Sequence, residues 1–403
     1  MWGDSMKIAV YHNLPSGGAK RSLFEMVRRM VSRHHIDVYT LSCAEHDFCD
    51  LRPYSRQHSV APFTPLPLLR RPFGRLNQLI YLADLMRLDR LDRQLAAHID
   101  RSQYDVVFVH HCRYRQSPAL LRFLKTPAVY YCQEPPRWIY DPVVPRPYLI
   151  PPFQRPWHVR IDPLPKLYRN TLQRRDKSNA RSSKIILVNS HHSHELVWRV
   201  YGIQPVVCYL GVDTEVFHPR ACQPENMILA VGALTAIKGY DLLIEGISRL
   251  PPQSRPPLVI VSNQDDPRER QYLAHLAEQL DVRLQIRDIV RDSEDLSEWY
   301  SRCMVTGYTP VLEPLGLVPL ESAACEKPVV GVREGGVRET VVDGMTGLLA
   351  DRDPEAVADA LHDLLSHPDK RAEMGRRGRF RVQQHWTWDI TTAHVERCLS
   401  AAV

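Results

Sequence analysis

Two glutamates eight positions apart, Glu313 and Glu321, bracket Gly316-Leu317-Val318 in the run Tyr308–Cys325. A carboxylate accepts hydrogen bonds through two oxygens, which suits the vicinal hydroxyls of a ribose or a pyranose. A glycine ahead of an apolar run opens a helix whose first N–H groups have no internal partner, and such an end binds a diphosphate. The competing reading of Glu321 is a favourable charge in a helix's first turns, worth about 0.3–1 kcal/mol. Lys238, directly before Gly239 and after the strand-like Val231-Gly232, is a point charge for phosphate or a solvated lysine. His110 and His111 follow Asp105-Val-Val-Phe-Val109, where a neutral imidazole serves either a ligand or the core. Gly17-Gly18, with Lys20 and Arg21 just beyond, reads as a cradle for phosphate or sugar hydroxyl, or as a tight turn. The loop matches neither GxGxxG nor GxxxxGK[ST], which argues against dinucleotide dehydrogenases and P-loop nucleotidases.

These residues need strands that end beside them. Short apolar runs predict strands at 6–11, 36–40, 105–109, 128–131 and 184–188 in the first half, and at 227–234, 258–262, 282–289, 305–308 and 328–332 in the second. Helical spacing falls between them, as at Leu23, Met26, Val27 and Met30, so each half reads as a doubly wound α/β domain. The sequence predicts domains at 1–204 and 205–385, with a last helix over 386–403 that packs back on the first. In such folds ligands bind beyond the carboxyl ends of the strands, which is where the glycine loops, His110, Lys238 and the two glutamates fall.

Two stretches interrupt the alternation. Residues 51–75 hold five prolines, with Arg52, Arg56, Arg70, Arg71 and Arg75; residues 135–165 hold ten, interleaved with Trp138, Tyr140, Tyr148, Phe153 and Trp157. Proline at that density excludes helix interiors and central strands, and the aromatics favour a docked, functional loop over a solvated linker. The net charge of +6 over 403 residues divides unevenly: residues 1–203 carry 31 basic against 16 acidic side chains, the remainder 21 against 30. The basic half points to anionic partners, here a phosphate-bearing acceptor or an anionic membrane face met by residues 52–75 and 137–169. The nine cysteines lack zinc spacing and read as reduced thiols. No apolar run reaches 18 residues and no signal-peptide core precedes Asn13, so the expected location is cytoplasmic, peripheral at most on the inner membrane face.

The segment Glu313–Glu321, with its GLV-x-LE core, resembles the E-x7-E motif of retaining glycosyltransferase family 4. Lys327-Pro-Val-Val-Gly331, Glu334-Gly335-Gly336-Val-Arg-Glu339 and Asp343-Gly-x-Thr-Gly-Leu348 resemble that family in order and spacing, as does the Gly17-Gly18 loop. The resemblance implies a GT-B fold, two Rossmann-like domains facing an interdomain cleft, with a nucleotide-sugar donor on the second and the acceptor mainly on the first. It implies Glu313 on the donor sugar, Glu321 on the ribose, the amides of Leu317 and Val318 on the diphosphate, and Lys238 on a phosphate. His110, with His111 the next candidate, would point at the donor sugar, and the backbone at Ile289 and Val290 would meet the base.

Three positions depart from the family pattern. Ala233 replaces the arginine usual before the Lys-Gly pair, removing one cation from the diphosphate; Leu315 replaces a phenylalanine, and Gln133 a histidine. The implied function is transfer of a hexosyl group from GDP-mannose or a UDP-hexose to a hydroxyl of a sugar, glycan or lipid-linked acceptor, as in cell-envelope or polysaccharide synthesis. No metal cofactor is expected: Asp351-Arg-Asp353 spells DxD, but Asp353 before Pro354 reads as a helix cap. Nor is nucleic acid expected. The alternatives are an inverting or epimerising enzyme of the same fold, or a catalytically silent binding protein.

Overall fold

The computed structural model describes residues 5–70, 72–149, 161–262, 265–288 and 293–403. The chain divides into two compact units. Unit 1 comprises Met1–Val143, Ile150–Tyr209 and Thr391–Val403; unit 2 comprises Val144–Leu149 and Leu210–Ile390. The change of unit falls at Tyr209/Leu210, five residues beyond the expected 204/205.

Among the described residues, unit 1 is built on seven strands: β1 (Lys7–Asn13), β2 (His35–Leu41), β3 (Gln57–Ala61), β4 (Val106–Cys112), β5 (Ala128–Tyr131), β6 (Ile185–Val188) and β7 (Val206–Val207). They lie in the order β3-β2-β1-β4-β5-β6-β7, all parallel. A parallel sheet covered on both faces buries its central strands, and Ile8, Ala9, Val10 and Tyr11 of β1 are wholly buried. Helix Gly18–Met30 lays Leu23, Met26, Val27 and Met30 into the core at the spacing seen in the sequence.

Unit 2 repeats the plan with β8 (Ile228–Val231), β9 (Leu258–Ser262), β10 (Leu284–Asp288), β11 (Val305–Tyr308), β12 (Val329–Val332) and β13 (Gly347–Ala350), ordered β10-β9-β8-β11-β12-β13 and again all parallel. The order reverses between β1 and β4 in one sheet and between β8 and β11 in the other, so the ligand positions of the two units lie after those four strands.

The differences from the expected elements have local causes. β8 stops at Val231 because Gly232 turns to φ 141, and β10 begins only at Leu284, after Asp281 at φ 52. β4 extends past the expected Val109 through both histidines; its register with β1 shifts between Tyr11 and Asn13, so the strand is still paired at Cys112. β3 forms inside the first proline-rich stretch, in the proline-free window between Pro53 and Pro62, as a partly exposed edge strand. In the second stretch Pro163 occupies the first turn of helix Pro163–Ala180, where its missing N–H costs nothing.

The terminal helix Trp388–Ala402 gives Thr391–Val403 to unit 1, burying Val395 and Leu399. Its Glu396 lies 2.8 Å from Arg33 and 3.3 Å from His34, and Lys184 donates to the Ala402 carbonyl at 2.6 Å. Asp353 caps helix Pro354–Ser366, accepting from the amides of Glu355 and Ala356 at 3.0 Å each. Asp353→Ala is expected to destabilise unit 2 by about 1 kcal/mol without affecting catalysis, measured by denaturant unfolding.

Candidate functional site

The loops after β8 and β11 are joined to each other within unit 2. After β8 the chain makes a short turn, Ala236–Lys238, then Gly239 at φ 63, and enters helix Tyr240–Ser248. The Thr309 hydroxyl donates to the Gly239 carbonyl at 2.8 Å and the Val311 amide to the Ile237 carbonyl at 2.8 Å. This clasp brings Lys238 to Glu313, with Nζ 2.9 and 3.1 Å from the two carboxylate oxygens. Both side chains are partly exposed, at 22% and 16%, so the pair is reachable.

The Glu313 backbone is held by the loop after β12. The Gly336 amide donates to the Glu313 carbonyl at 2.8 Å. A Cβ on Gly336 would lie 2.2 Å from the Pro314 oxygen, and one on Gly335 2.4 Å from the Glu313 oxygen. The Glu334-Gly-Gly336 motif is therefore a packing device for the glutamate loop. Arg352, inside the DxD-like triplet, donates to the carbonyls of Thr309, at 3.2 Å, and Pro310, and pairs with Glu334 at 2.8 Å.

Helix Leu317–Ala324 starts four residues past Glu313, with Gly316 before it at φ 91 and no capping side chain. A Cβ at Gly316 would sit 3.0 Å from the Tyr308 ring, so glycine keeps this end free of side-chain atoms. Pro319 has no N–H, which leaves the amides of Leu317 and Val318, both half-buried, as the first donors of the helix. Glu321, one turn on, is 4% exposed and accepts from the Tyr300 hydroxyl at 2.9 Å. Tyr308 is fully buried near Glu313, and burial with that charge drives its hydroxyl well above the usual range, so it stays a neutral donor. The Tyr240 hydroxyl is buried with no hydrogen-bond partner among the described residues; a Cβ on Gly232 would meet it at 3.0 Å and the Lys238 chain at 3.6 Å. Unit 2 thus gathers Lys238, Glu313, Gly316, Leu317, Val318 and Glu321 around one helix start. Ile289 and Val290 lie outside the described residues.

In unit 1 the glycine loop leads into helix Gly18–Met30 with Gly17 at φ 140, and nothing lies within 4 Å of a Cβ placed there. Gly18 is exposed. Lys20 stands in the helix's first turn as expected, but its side chain turns inward, 1% exposed, with Nζ 3.3 Å from His12 Nε2. Burial lowers its pKa to about 8. The reason is periodicity: Lys20 shares the inward face with Leu23 and Val27.

His110 is also buried rather than presented at a strand end. It is wholly inaccessible, stacked on Tyr131 at 5.5 Å and edge-on to Phe108 at 4.7 Å, with no hydrogen-bond partner for either ring nitrogen among the described residues. Gln133 donates to the Ser22 hydroxyl at 2.8 Å.

Burial pushes the pKa of His12 and His110 well below the ordinary value, and that of His111 to about 4. A histidine held neutral in the fold but free to protonate when unfolded contributes stability above the unfolded pKa of about 6.5, and that stability is lost as pH falls toward the folded value. Unit 1 should therefore lose stability between pH 6.5 and about 4, and His111→Asn should flatten that fall. A denaturant-midpoint series across this range with the same slope in both proteins would contradict it.

Residue types alone did not point to Arg146. Its guanidinium, in the six residues that the second proline-rich stretch gives to unit 2, is buried against Glu269, Asp241 and the Ala236 carbonyl. The interleaved aromatics announced a docked loop, yet nothing distinguished this arginine from the many others.

Residues 16–216 match the family model described as Glycosyltransferase Family 4, and residues 213–381 match Glycosyl transferases group 1. A D-inositol 3-phosphate glycosyltransferase of Kribbella flavida is 31% identical over 234 residues, 52% of this chain and 54% of the relative. A GDP-mannose-dependent alpha-(1-6)-phosphatidylinositol monomannoside mannosyltransferase of Mycolicibacterium smegmatis is 32% identical over 212 residues, 47% of this chain and 54% of the relative. The chain spans about half the length of these curated relatives. Among solved structures, a sucrose-phosphate synthase of Thermosynechococcus elongatus superposes with a TM-score of 0.73 at 20% identity, covering 99% of this chain and 100% of that one. The Anabaena protein HepE in complex with UDP and glucose superposes with a TM-score of 0.69 at 17% identity, covering 98% and 100%. At these identities the structural likeness speaks to the fold.

Proposed function

We infer that this chain, which belongs to the glycosyltransferases of family 4 and group 1 and has their GT-B fold of two Rossmann-like domains, moves a hexosyl group from a nucleotide-diphosphate sugar to an acceptor hydroxyl with retention at the anomeric carbon. The observation that carries this reading is the Lys238–Glu313 pair set 2.9 Å apart beside an uncapped helix start. Charge develops on the leaving diphosphate as the glycosidic bond breaks. Two fixed amides, placed before the reaction, stabilise it without reorganisation, and Lys238 adds a cation by leaving Glu313. Glu313, once Lys238 turns to phosphate, accepts from sugar hydroxyls, and Glu321, oriented by Tyr300, accepts from the ribose. In this reading the acceptor attacks from the same face as the departing phosphate, which takes the acceptor's proton. His110 is buried within unit 1 and held neutral. One relative uses GDP-mannose and one structural neighbour was solved with UDP, so both bases are carried forward.

Unit 1 supports an acceptor at or in an anionic membrane. Leu68, Leu69 and Phe73 are 52%, 42% and 61% exposed in the same stretch as exposed Arg70 and Arg75, and Trp138 is 55% exposed. Apolar and cationic side chains together suit a lipid surface, and no helix among the described residues is long and apolar enough to cross one. Sedimentation with phosphatidylglycerol vesicles should fall with salt and with Arg70→Glu; binding indifferent to both would remove the membrane from the reading.

The deciding experiment is a thermal-shift screen of UDP and GDP, followed by hydrolysis and transfer assays with UDP-glucose and GDP-mannose and NMR of the product. A product that keeps the donor's anomeric configuration supports the reading. An inverted product favours the inverting alternative, and nucleotide binding without turnover favours a silent binding protein.

A further inference from the structure

We propose that Arg146 is a positioning residue for the phosphate-binding turn, reaching into unit 2 from the proline-rich stretch to hold Ala236–Asp241 in the conformation that presents Lys238. The proposal rests on the reading of Lys238 as a donor-phosphate ligand.

The six residues Val144–Leu149 belong to unit 2, although the chain on both sides is assigned to unit 1. The Arg146 side chain is 3% exposed and every arm of its guanidinium is engaged. Nε donates to both Glu269 oxygens at 3.0 and 3.1 Å. Nη1 reaches Asp241 at 2.8 Å and the Pro145 carbonyl at 3.2 Å. Nη2 reaches the Ala236 carbonyl at 2.9 Å, Asp241 at 3.1 Å and Glu269 at 3.0 Å. The planar face lies 5.2 Å from the Tyr272 ring centre, and the Tyr148 hydroxyl adds a further bond to Glu269.

The acceptors Ala236 and Asp241 are the two ends of the turn that carries Lys238. One rigid fork ties them together and anchors both to Glu269, which is wholly buried on helix Pro267–Gln279. A lysine cannot reproduce this, since it offers a point charge where five directed donors are used. Short backbone bonds also hold the turn, from the amides of Lys238 to Thr235 at 2.9 Å and of Gly239 to Ala236 at 3.2 Å. Without Arg146 the Ala236 carbonyl loses its side-chain partner, while Asp241 and Glu269 are left as unneutralised charges. The turn should then open, taking Lys238 off its position. The assignment gives Val144–Leu149 a function that its proline content alone does not explain: it delivers one arginine to the turn.

The test uses the full chain as Arg146→Ala, Arg146→Lys and Glu269→Gln, with two readouts. Hydrogen exchange should show the amides of Lys238, Gly239 and Val311 exchanging at least ten-fold faster in Arg146→Ala and Arg146→Lys, while the amides of β11 and β12 keep their protection. Steady-state kinetics with the nucleotide sugar the wild type uses should show a donor KM at least ten-fold higher, an acceptor KM unchanged, and partial restoration of Arg146→Ala by added guanidinium ion. If Arg146→Ala does not fold, Arg146→Lys and Glu269→Gln are judged by the same readouts. Unchanged exchange in the turn, a rise spread evenly over unit 2, or faster exchange in the turn with an unmoved donor KM each overturns the proposal. A wild type that neither binds UDP or GDP nor hydrolyses their sugars defeats the functional reading instead, and the exchange data still decide whether Arg146 holds the turn.

Discussion

Replacing Lys238 with methionine is expected to lower turnover of the nucleotide sugar by about 100- to 1000-fold, the loss typical when one preorganised donor to a developing anion is removed. The same substitution should cost the fold little. Lys238 and Glu313 are partly exposed, at 22% and 16%, and an ion pair of that kind contributes about 0–1 kcal/mol. The contrast between a large kinetic loss and a small stability change separates a ligand-binding lysine from a structural one. Methionine also takes the lysine charge from beside Glu313, so part of the loss is repulsion between the carboxylate and the diphosphate. The double variant Lys238→Met/Glu313→Gln should therefore bind UDP or GDP better than Lys238→Met alone, while its turnover stays low because Glu313 is no longer a full acceptor for the sugar. Isothermal titration and initial rates on the three proteins settle it. Turnover in Lys238→Met within three-fold of wild type would remove Lys238 from the site.

How much of this was legible in the sequence depends on the range of the interaction concerned. Strand positions were close to those found because buried parallel strands are short apolar runs between helices, a pattern carried by consecutive residues. The Asp353 cap was equally local. The loops after β8 and β11 could be assigned to one site because doubly wound sheets place ligands at the carboxyl ends of strands beside the switch point. What stayed hidden is set by contacts between residues far apart in sequence. Arg146 meets Glu269 across 123 positions, and no periodicity marks an arginine in an irregular, proline-rich segment as the buried one. The burial of Lys20 was hidden for a related reason. Its neighbours suggested a helix start, but which side of the helix a charged residue occupies depends on what lies beneath, and here His12 on β1 does. The burial of His110 under its own unit was similarly beyond a strand prediction that ended at Val109.

Gly239→Ala should do more damage than any change to an exposed side chain, because two independent costs fall on one atom. The residue sits at φ 63, in the left-handed region, where a Cβ costs about 1–2 kcal/mol. That Cβ would also lie 2.1 Å from the Thr309 carbonyl oxygen and 3.1 Å from its carbon, an overlap that only backbone movement relieves. Overpacking of this kind costs about 1–3 kcal/mol, so the combined loss is about 2–5 kcal/mol. The movement breaks the clasp itself, because the Thr309 hydroxyl bonds the Gly239 carbonyl and Arg352 donates to the Thr309 carbonyl. Lys238 then leaves Glu313, and donor turnover should fall at least as far as in Lys238→Met, now with a lowered unfolding midpoint. Gly239→Asn separates the two costs: asparagine tolerates the left-handed region but still carries the Cβ. It should recover the conformational share of the stability and little of the activity. If Gly239→Asn matches wild type in both, the close approach to Thr309 does not control the turn, and the Lys-Gly pair is conformational in origin alone.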